Sequence, residues 1–459
     1  MSAATTTPTA GGAIRPARPV PTLAYGPRSD EILDITMGKS EQPLGVLHHV
    51  QDGPTECSQF SFDRRWLGRE LPFSPSPDLR SHPHGQWRTR PQGQGSPFFA
   101  ALADTQPDGF AQAILERSLG EATLTTHPLA GLESRALASL CAVHDLCRLG
   151  ALRIRPRNPA LPVSGRRIDL PISADLDTMA RAIAAFERGS ADERQTRLLL
   201  FSATALGGSR PKVCFVQNAE KQDGGTLAVA RLPSVADRYP VAKAEMLAGQ
   251  LAQASGIRVA EMALKNLCEG SVLITQRLDR DADGRRLPYL SARSLLLAEE
   301  GEEPDWMDLL KAMRTCSKVF GADARQLWLR MLFMRLINAR VSLGKFGYVY
   351  RSLACWELAP ATALRPAMEP ECQPAQSHIP GPGLRWDVDQ LLKQSVAFGI
   401  PQNEASTLLK RMVEVISRWK VAAVQYPVRM TTTDLASLEA AMENAQLREA
   451  REVVGGRRA

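Results

Sequence analysis

The residues best placed to do chemistry form one short stretch in the middle of the chain, Gly207-Gly208-Ser209-Arg210-Pro211-Lys212. Paired glycines let a backbone come close to an anion, and Lys212 adds a positive charge on its far side, an arrangement suited to a phosphate. A Gly-Gly pair is also an ordinary turn, so its neighbours decide its meaning. Arg231 ends the apolar run Thr226-Leu227-Ala228-Val229-Ala230, which reads as a strand. Glu245 lies in a segment whose Met246, Leu247, Leu251 and Ala254 share a helical face. A cation and an anion so placed can form a buried ion pair that ties helix to sheet. Other constellations are weaker. Asp279, Asp281 and Asp283 with Gly284 begin like a calcium loop, but Leu290 stands where the closing Glu belongs, so an acidic turn is the expectation. His48-His49 and His82-x-His84 lack Cys or carboxylate partners at metal spacing, which speaks against zinc.

The elements that must position these residues follow from the rest of the chain. Its 459 residues suit two or three packed units, and 44% hydrophobic with 23% charged residues is an ordinary globular composition. No apolar run reaches the roughly 18 residues that span a bilayer, and the N-terminus lacks the apolar core of a secretory signal. A cytoplasmic address without a membrane is expected. The eight cysteines are scattered with no C-x-x-C pair and read as thiols in a reducing compartment. Lys and Arg exceed Asp and Glu by 56 − 49 = +7, an excess that a solvated surface and basic tails explain as well as a polyanionic partner does.

Residues 1–30, rich in Ala, Thr, Pro and Gly, read as a disordered tail. From Glu31 short apolar runs broken by Gly and Pro predict a strand-rich unit over 31–155, with one helix carrying Ala111, Ile114, Leu115 and Leu119. A Pro- and Arg-rich connector and a helix over Asp177 to Arg188 lead into a sheet-bearing region, 156–290. Residues 291–447 are helical in pattern: Trp306, Leu309, Leu310 and Met313 share a face, and Leu435 to Leu447 reads as the last helix. Residues 448–459 are expected to fray into a charged tail.

Several motifs, in order, resemble those of the HipA family, serine/threonine-kinase toxins of bacterial toxin–antitoxin modules. Ser58-Gln59-Phe60-Ser61-Phe62-Asp63 and Trp66-Leu67 look like the opening of longer members, and Ala103-Asp104-Thr105-Gln106-Pro107-Asp108-Gly109-Phe110 is close to A-D-x-x-P-D-G-W. Val143-His144-Asp145 and Arg148-Leu149-Gly150-Ala151-Leu152-Arg153-Ile154 are near V-D-D-x-x-R-x-G-A-L-R-F, with His144 in place of an acid and expected as a capped or surface imidazole. Residues 205–212 resemble S-x-G-G-A-R-P-K, and Leu227 to Ser234 resembles L-x-I-x-K-F-P-S with Arg231 where the family has a phosphate-gripping Lys. Ser271 to Arg280 is similar to L-x-x-R-F-D-R, and Asn338 to Tyr348 with Trp356 to Leu364 resembles N-T-D-D-H-L-x-N-x-G-F and W-x-L-x-P-A-Y-D-L.

The resemblance implies an α+β, HipA-like, two-lobed protein-kinase-like fold with an N-terminal strand-rich subdomain. It implies ATP as cofactor, bound by Gly207, Gly208, Lys212, Arg231 and Glu245, with the backbone of Gln276, Arg277 and Leu278 passing near adenine. It also implies a helix-turn-helix antitoxin partner of the HipB type, with DNA reached only through that partner. In the last motif the frame survives as Asn338, Leu343, Gly347, Trp356, Leu358, Pro360 and Leu364, but its chemistry does not. Arg340 stands at the family's catalytic Asp, Lys345 at a magnesium-binding Asn and Ala363 at the magnesium-binding Asp. Losing a general base alone lowers a rate by about 100- to 10,000-fold, and cations at these positions repel magnesium. The expectation is a pseudokinase that binds a nucleotide or a protein partner. The alternatives are an active kinase with relocated catalytic groups and a nucleotide-independent interaction protein whose cleft is filled by Arg340 and Lys345.

Overall fold

The computed structural model describes residues 29–69, 73–82, 86–88, 96–120, 134–158, 170–202, 204–218, 225–299, 302, 304–339, 343–351, 355–367 and 386–455. The tail expected over 1–30 lies outside these except for Ser29 and Asp30, which already belong to the first strand.

Alternation of apolar and polar residues builds the N-terminal unit. Strands β1 (Ser29–Met37), β2 (Gln42–Asp52), β3 (Thr55–Phe62), β4 (Gln86–Arg88) and β5 (Leu152–Pro156) form one antiparallel sheet in the order β4-β3-β2-β1-β5. Leu33, Ile35, Leu47, Phe60 and Phe62 point to one face and bury there. Helices α1 (Arg64–Leu67), α2 (Ala100–Ala103), α3 (Gly109–Gly120) and α4 (Arg135–Ala142) belong to the same unit. Its histidines take structural roles: His48 sits 2.9 Å from Asp30, and His49 is buried between the Ser58 and Ser134 hydroxyls. His144 is a cap as expected, its Nδ1 accepting from the Leu146 amide at 3.2 Å, but it is buried rather than superficial.

The second unit opens with helices α5 (Leu176–Glu187) and α6 (Glu193–Phe201). Strands β6 (Lys212–Gln217), β7 (Thr226–Arg231), β8 (Met262–Leu267) and β9 (Gly270–Gln276) make a four-stranded antiparallel sheet in the order β6-β7-β9-β8, and helix α7 (Val241–Ala254) packs against β8 and β9. The third unit is mostly helical. Its small sheet of β10 (Tyr289–Ser291), β11 (Gly347–Arg351) and β12 (Cys355–Leu358) sits among α8 (Ala292–Leu296), α9 (Trp306–Cys316) and α10 (Phe320–Leu336). Helix α10 is buried on nearly every side, from Leu327 through Met334, because α9, α11 (Val388–Lys393), α12 (Gln402–Ser417), α15 (Ala445–Val454) and β12 all pack on it. Helices α13 (Trp419–Val424) and α14 (Thr432–Met442) complete the unit.

The single closing helix expected over 435–447 is two helices. Asn444 interrupts it, accepting from the Leu447 amide as the cap of α15, which runs on to Val454. Residues 448–454 are thus helix rather than frayed tail. Among the described residues no helix is long and apolar enough to cross a membrane.

A buried ionic junction fastens the N-terminal unit to the other two. Asp279 Oδ2 accepts from the Gly150 amide at 2.6 Å, from Arg277 Nη2 at 2.6 Å and from Arg280 Nη1 at 2.8 Å. Arg277 Nη1 and Nη2 also donate to the carbonyls of Cys147 and Arg148, and Arg286 reaches Asp145 at 2.8 Å. A second contact joins α2 to α8: the half-buried Asp104 carboxylate accepts from the Ser291 amide and from the hydroxyls of Ser291 and Ser294. Burial pushes the Asp104 carboxyl up to about 6, against these hydrogen bonds. A folded pKa above the unfolded value means that the native state binds more protons between about pH 4 and 6. The contribution of Asp104 to stability therefore rises as pH falls from about 6 towards 4, by roughly 1.4 kcal/mol for each unit of difference. Urea midpoints at pH 4.5, 5.5 and 7 are expected to show this component in the native chain and not in Asp104→Asn.

Candidate functional site

The Gly-Gly loop is built as the sequence requires. Gly207 and Gly208 have φ of +74° and +79°, two consecutive left-handed positions that a side chain would strain. The loop lies over the turn of 3-10 helix at Leu343–Lys345, with the carbonyl of Gly344 3.9 Å from where a Gly207 Cβ would sit. Lys212 opens β6 directly opposite Arg231 on β7, so two cations stand side by side on neighbouring strands. Lys212 is only 5% exposed; its Nζ lies 3.1 Å from Asp108 Oδ2 and donates to the Gly208 carbonyl at 3.2 Å. Burial pushes the Lys212 ammonium pKa down, and the charge of Asp108 opposes the shift.

Glu245 on α7 stands behind this pair, its Oε2 3.7 Å from Arg231 Nε, and both side chains are largely buried. Glu245 Oε2 accepts no hydrogen bond, and Arg231 Nη1 donates instead to Thr275 at 3.3 Å. The structure thus brings together Gly207, Gly208, Lys212, Arg231 and Glu245, and the ion pair between helix and sheet exists beside the phosphate-like loop. Gln276 ends β9, its amide donating to the Glu261 carbonyl and its side chain to Gln217. Arg277 differs from its neighbours, because its guanidinium is turned into the junction with the N-terminal unit and is 1% exposed. A side-chain contact from Arg277 to a nucleotide is excluded by that burial; what residues 276–278 can offer there is backbone and the half-buried Leu278.

The second motif is a frame held by its surviving residues. Asn338 Nδ2 donates to the Ala367 carbonyl at 2.8 Å, and Ala339 bridges to Pro366, so the two halves of the motif are stapled together. Gly347 passes so close to Tyr289 that a Cβ would sit 2.3 Å from its ring. Trp356 packs edge-on to Tyr350 and Phe73, and the Leu358 amide donates to the buried Asp323 at 2.9 Å. Lys345 ends the 3-10 turn beneath the glycine loop, half-buried. Arg340 lies outside the described residues. Ala363 has φ of +54°, a left-handed conformation that Asn and Asp tolerate better than Ala does. The backbone is left-handed here while the side chain is a methyl.

These residues differ in what they fit. Two adjacent cations and a glycine loop suit the phosphates of a nucleotide. Glu357 pairs loosely with Arg351, Asp387 caps α11 and Asp389 pairs with Lys393. Among the described residues no group of three or more His, Cys, Asp or Glu could hold a metal ion. Asp108, on which Lys212 depends, was not among the residues assigned to the site. Its sequence signal was Pro107-Asp108-Gly109 before an apolar-periodic run, a helix start rather than a ligand.

The fold is that of the HipA proteins. A solved structure of the Shewanella oneidensis MR-1 toxin–antitoxin system, HipA with HipB and its operator DNA, is similar over 92% of this chain and 97% of that one, with a TM-score of 0.61 at 15% identity. Residues 204–419, which begin just before the glycine loop and end at the start of α13, match the HipA-like C-terminal domain. The proinflammatory kinase CtkA of Helicobacter pylori is also similar, at 15% identity over 54% of this chain and 90% of that chain, with a TM-score of 0.36. No curated protein matches.

Ala363 supplies a direct check on the frame. Ala363→Gly is expected to stabilise the chain by up to about 1 kcal/mol, the left-handed strain of Ala less the greater unfolded-state freedom of Gly. A lower urea midpoint in the variant would show that the position is not left-handed.

Proposed function

We propose that this chain is a HipA-like pseudokinase: it binds a nucleotide on the cationic wall of Lys212 and Arg231, and a helix-turn-helix partner of the HipB type, without efficient phosphoryl transfer. The observation that carries the reading is the charge of the cleft. Phosphoryl transfer needs a carboxylate to orient the attacking hydroxyl and oxygen ligands to hold magnesium across the phosphates. Lys345 and Ala363 occupy ligand positions of the family's motif, and Arg340 occupies the position of its base. In this reading the cations of Lys212, Arg231 and Lys345 do for phosphate what a metal otherwise does, so binding is independent of magnesium while the chemical step lacks its base.

The partner is inferred from fold. The Shewanella structure that covers nearly the whole chain is a complex of HipA with HipB and operator DNA. A protein acting through such a partner reaches DNA indirectly and works in the cytoplasm.

Thermal unfolding with ATP, with and without magnesium, tests the nucleotide half. ATP at about 100 times its Kd is expected to stabilise the chain by about 2.7 kcal/mol, equally in both conditions. No shift in either condition would remove nucleotide binding. Transfer of labelled phosphate to itself or to bacterial lysate, above the level of Lys212→Ala, would overturn the inactive reading. Co-purification with the product of a neighbouring small helix-turn-helix reading frame tests the partner.

A further inference from the structure

The phosphate-like loop is held from two sides: in its own unit Arg210 pairs with Asp237 at 2.6 Å, and the N-terminal unit supplies a second hold. Residue 108, at the start of α3 in the N-terminal unit, takes hold of the loop at both ends. The Asp108 amide donates to the Thr204 carbonyl at 2.8 Å, and the Thr204 hydroxyl donates back to Asp108 Oδ2. The same oxygen lies 3.1 Å from Lys212 Nζ, while Oδ1 accepts from the Ala111 amide at 3.1 Å and so fixes the carboxylate on its helix. Gly109 follows with the Gly208 carbonyl 3.5 Å from where its Cβ would be, so the loop rests on the first turn of α3. Thr204, Asp108 and Lys212 are all at least nine-tenths buried.

An ammonium has three N–H bonds. Lys212 directs one to Asp108 and one to the Gly208 carbonyl, which leaves a third. We propose that Asp108 is a positioning residue for the loop: from the N-terminal unit it clamps Thr204 and Lys212 so that the remaining N–H is presented to a phosphate. The inference rests on the nucleotide reading above and adds the element that sets the site. The N-terminal unit is then part of the binding apparatus, and displacing it by a few ångströms would slacken the loop and unpair Lys212 together.

The charges facing Lys212 come from three elements: Asp108 ahead of α3, Arg231 on β7 and Glu245 on α7. Burial and Arg231 disfavour the ammonium; Asp108 and, less strongly, Glu245 support it. Without the carboxylate at 108 the Lys212 ammonium loses its main electrostatic support and gives up its proton at lower pH than in the native chain, a consequence that a purely structural role for Asp108 would not have.

The test compares the full-length native chain with Asp108→Asn at pH 7.2 and pH 9, with the small change in ATP ionisation over that range cancelled by taking the ratio of variant to native affinity at each pH. Magnesium-free ATP affinity is measured by calorimetry, and labelling of Lys212 by an amine acylating reagent is followed by mass spectrometry. Native affinity is expected to change less than twofold between the two pH values. In Asp108→Asn it is expected to fall about tenfold at pH 7.2 and a further fivefold or more at pH 9, with Lys212 labelling appearing at least one pH unit earlier. Equal affinities, or a loss that is the same at both pH values with unchanged labelling, would overturn the proposal. If the native chain binds no ATP the nucleotide reading fails, and the labelling profile alone still decides whether Asp108 governs Lys212. Should Asp108→Asn not fold, Asp108→Glu is expected to keep the native labelling profile while weakening ATP binding about tenfold, and native affinity in that variant would sink the idea.

Discussion

The buried carboxylate of Asp279 is the constraint on which the assembly depends. It lies where the chain leaves the second unit's sheet, and burial by itself would raise its pKa. Arg277 and Arg280 overcome that and hold it well below the usual carboxylate range. The third donor to its Oδ2 is the Gly150 amide of the N-terminal unit. Buried ions of this kind seldom add much net stability over well-packed apolar groups, yet removing one partner of a satisfied set costs about 3–5 kcal/mol. Such a junction specifies a relative placement. It fixes residues 143–151 against the segment between the second and third units, and that placement decides where α3 begins.

The start of α3 matters because the cleft is lined from two units. Lys212, Arg231 and Glu245 come from one sheet and its helix, while Asp108 comes from the unit across the junction. Among these groups the charges balance two against two, and Glu245 Oε2 is left without a hydrogen bond. Lys345, under the glycine loop, adds a further positive charge.

The residues around Ala363 form a frame. Asn338, Gly347, Trp356 and Leu358 each perform a contact that the fold needs: a staple between segments, a close pass against Tyr289, an aromatic packing with Phe73, and an amide for Asp323. Within that frame Ala363 holds a left-handed turn with only a methyl for a side chain.

Much of this was legible in the sequence. Alternating apolar runs announced the first sheet, helical periodicity announced α7, α9 and α10, and the Gly207-Gly208…Lys212 spacing announced the loop, because each depends on residues close together along the chain. Asn444 as a helix break, the burial of His144 and the inward turn of Arg277 were not, since each is set by what packs across from it. In its own segment Arg277 is one of three residues whose backbone is expected near adenine, and its side chain becomes a junction group only because Asp279 and the carbonyls of Cys147 and Arg148 lie beside it. Likewise Asp108 is a helix cap in sequence and the counter-ion of Lys212 in space, 104 positions away in the chain. Local order in a sequence carries periodicity and turn chemistry; which buried charge meets which is decided only when separate units close on one another, because desolvation makes each buried ion depend on its partner.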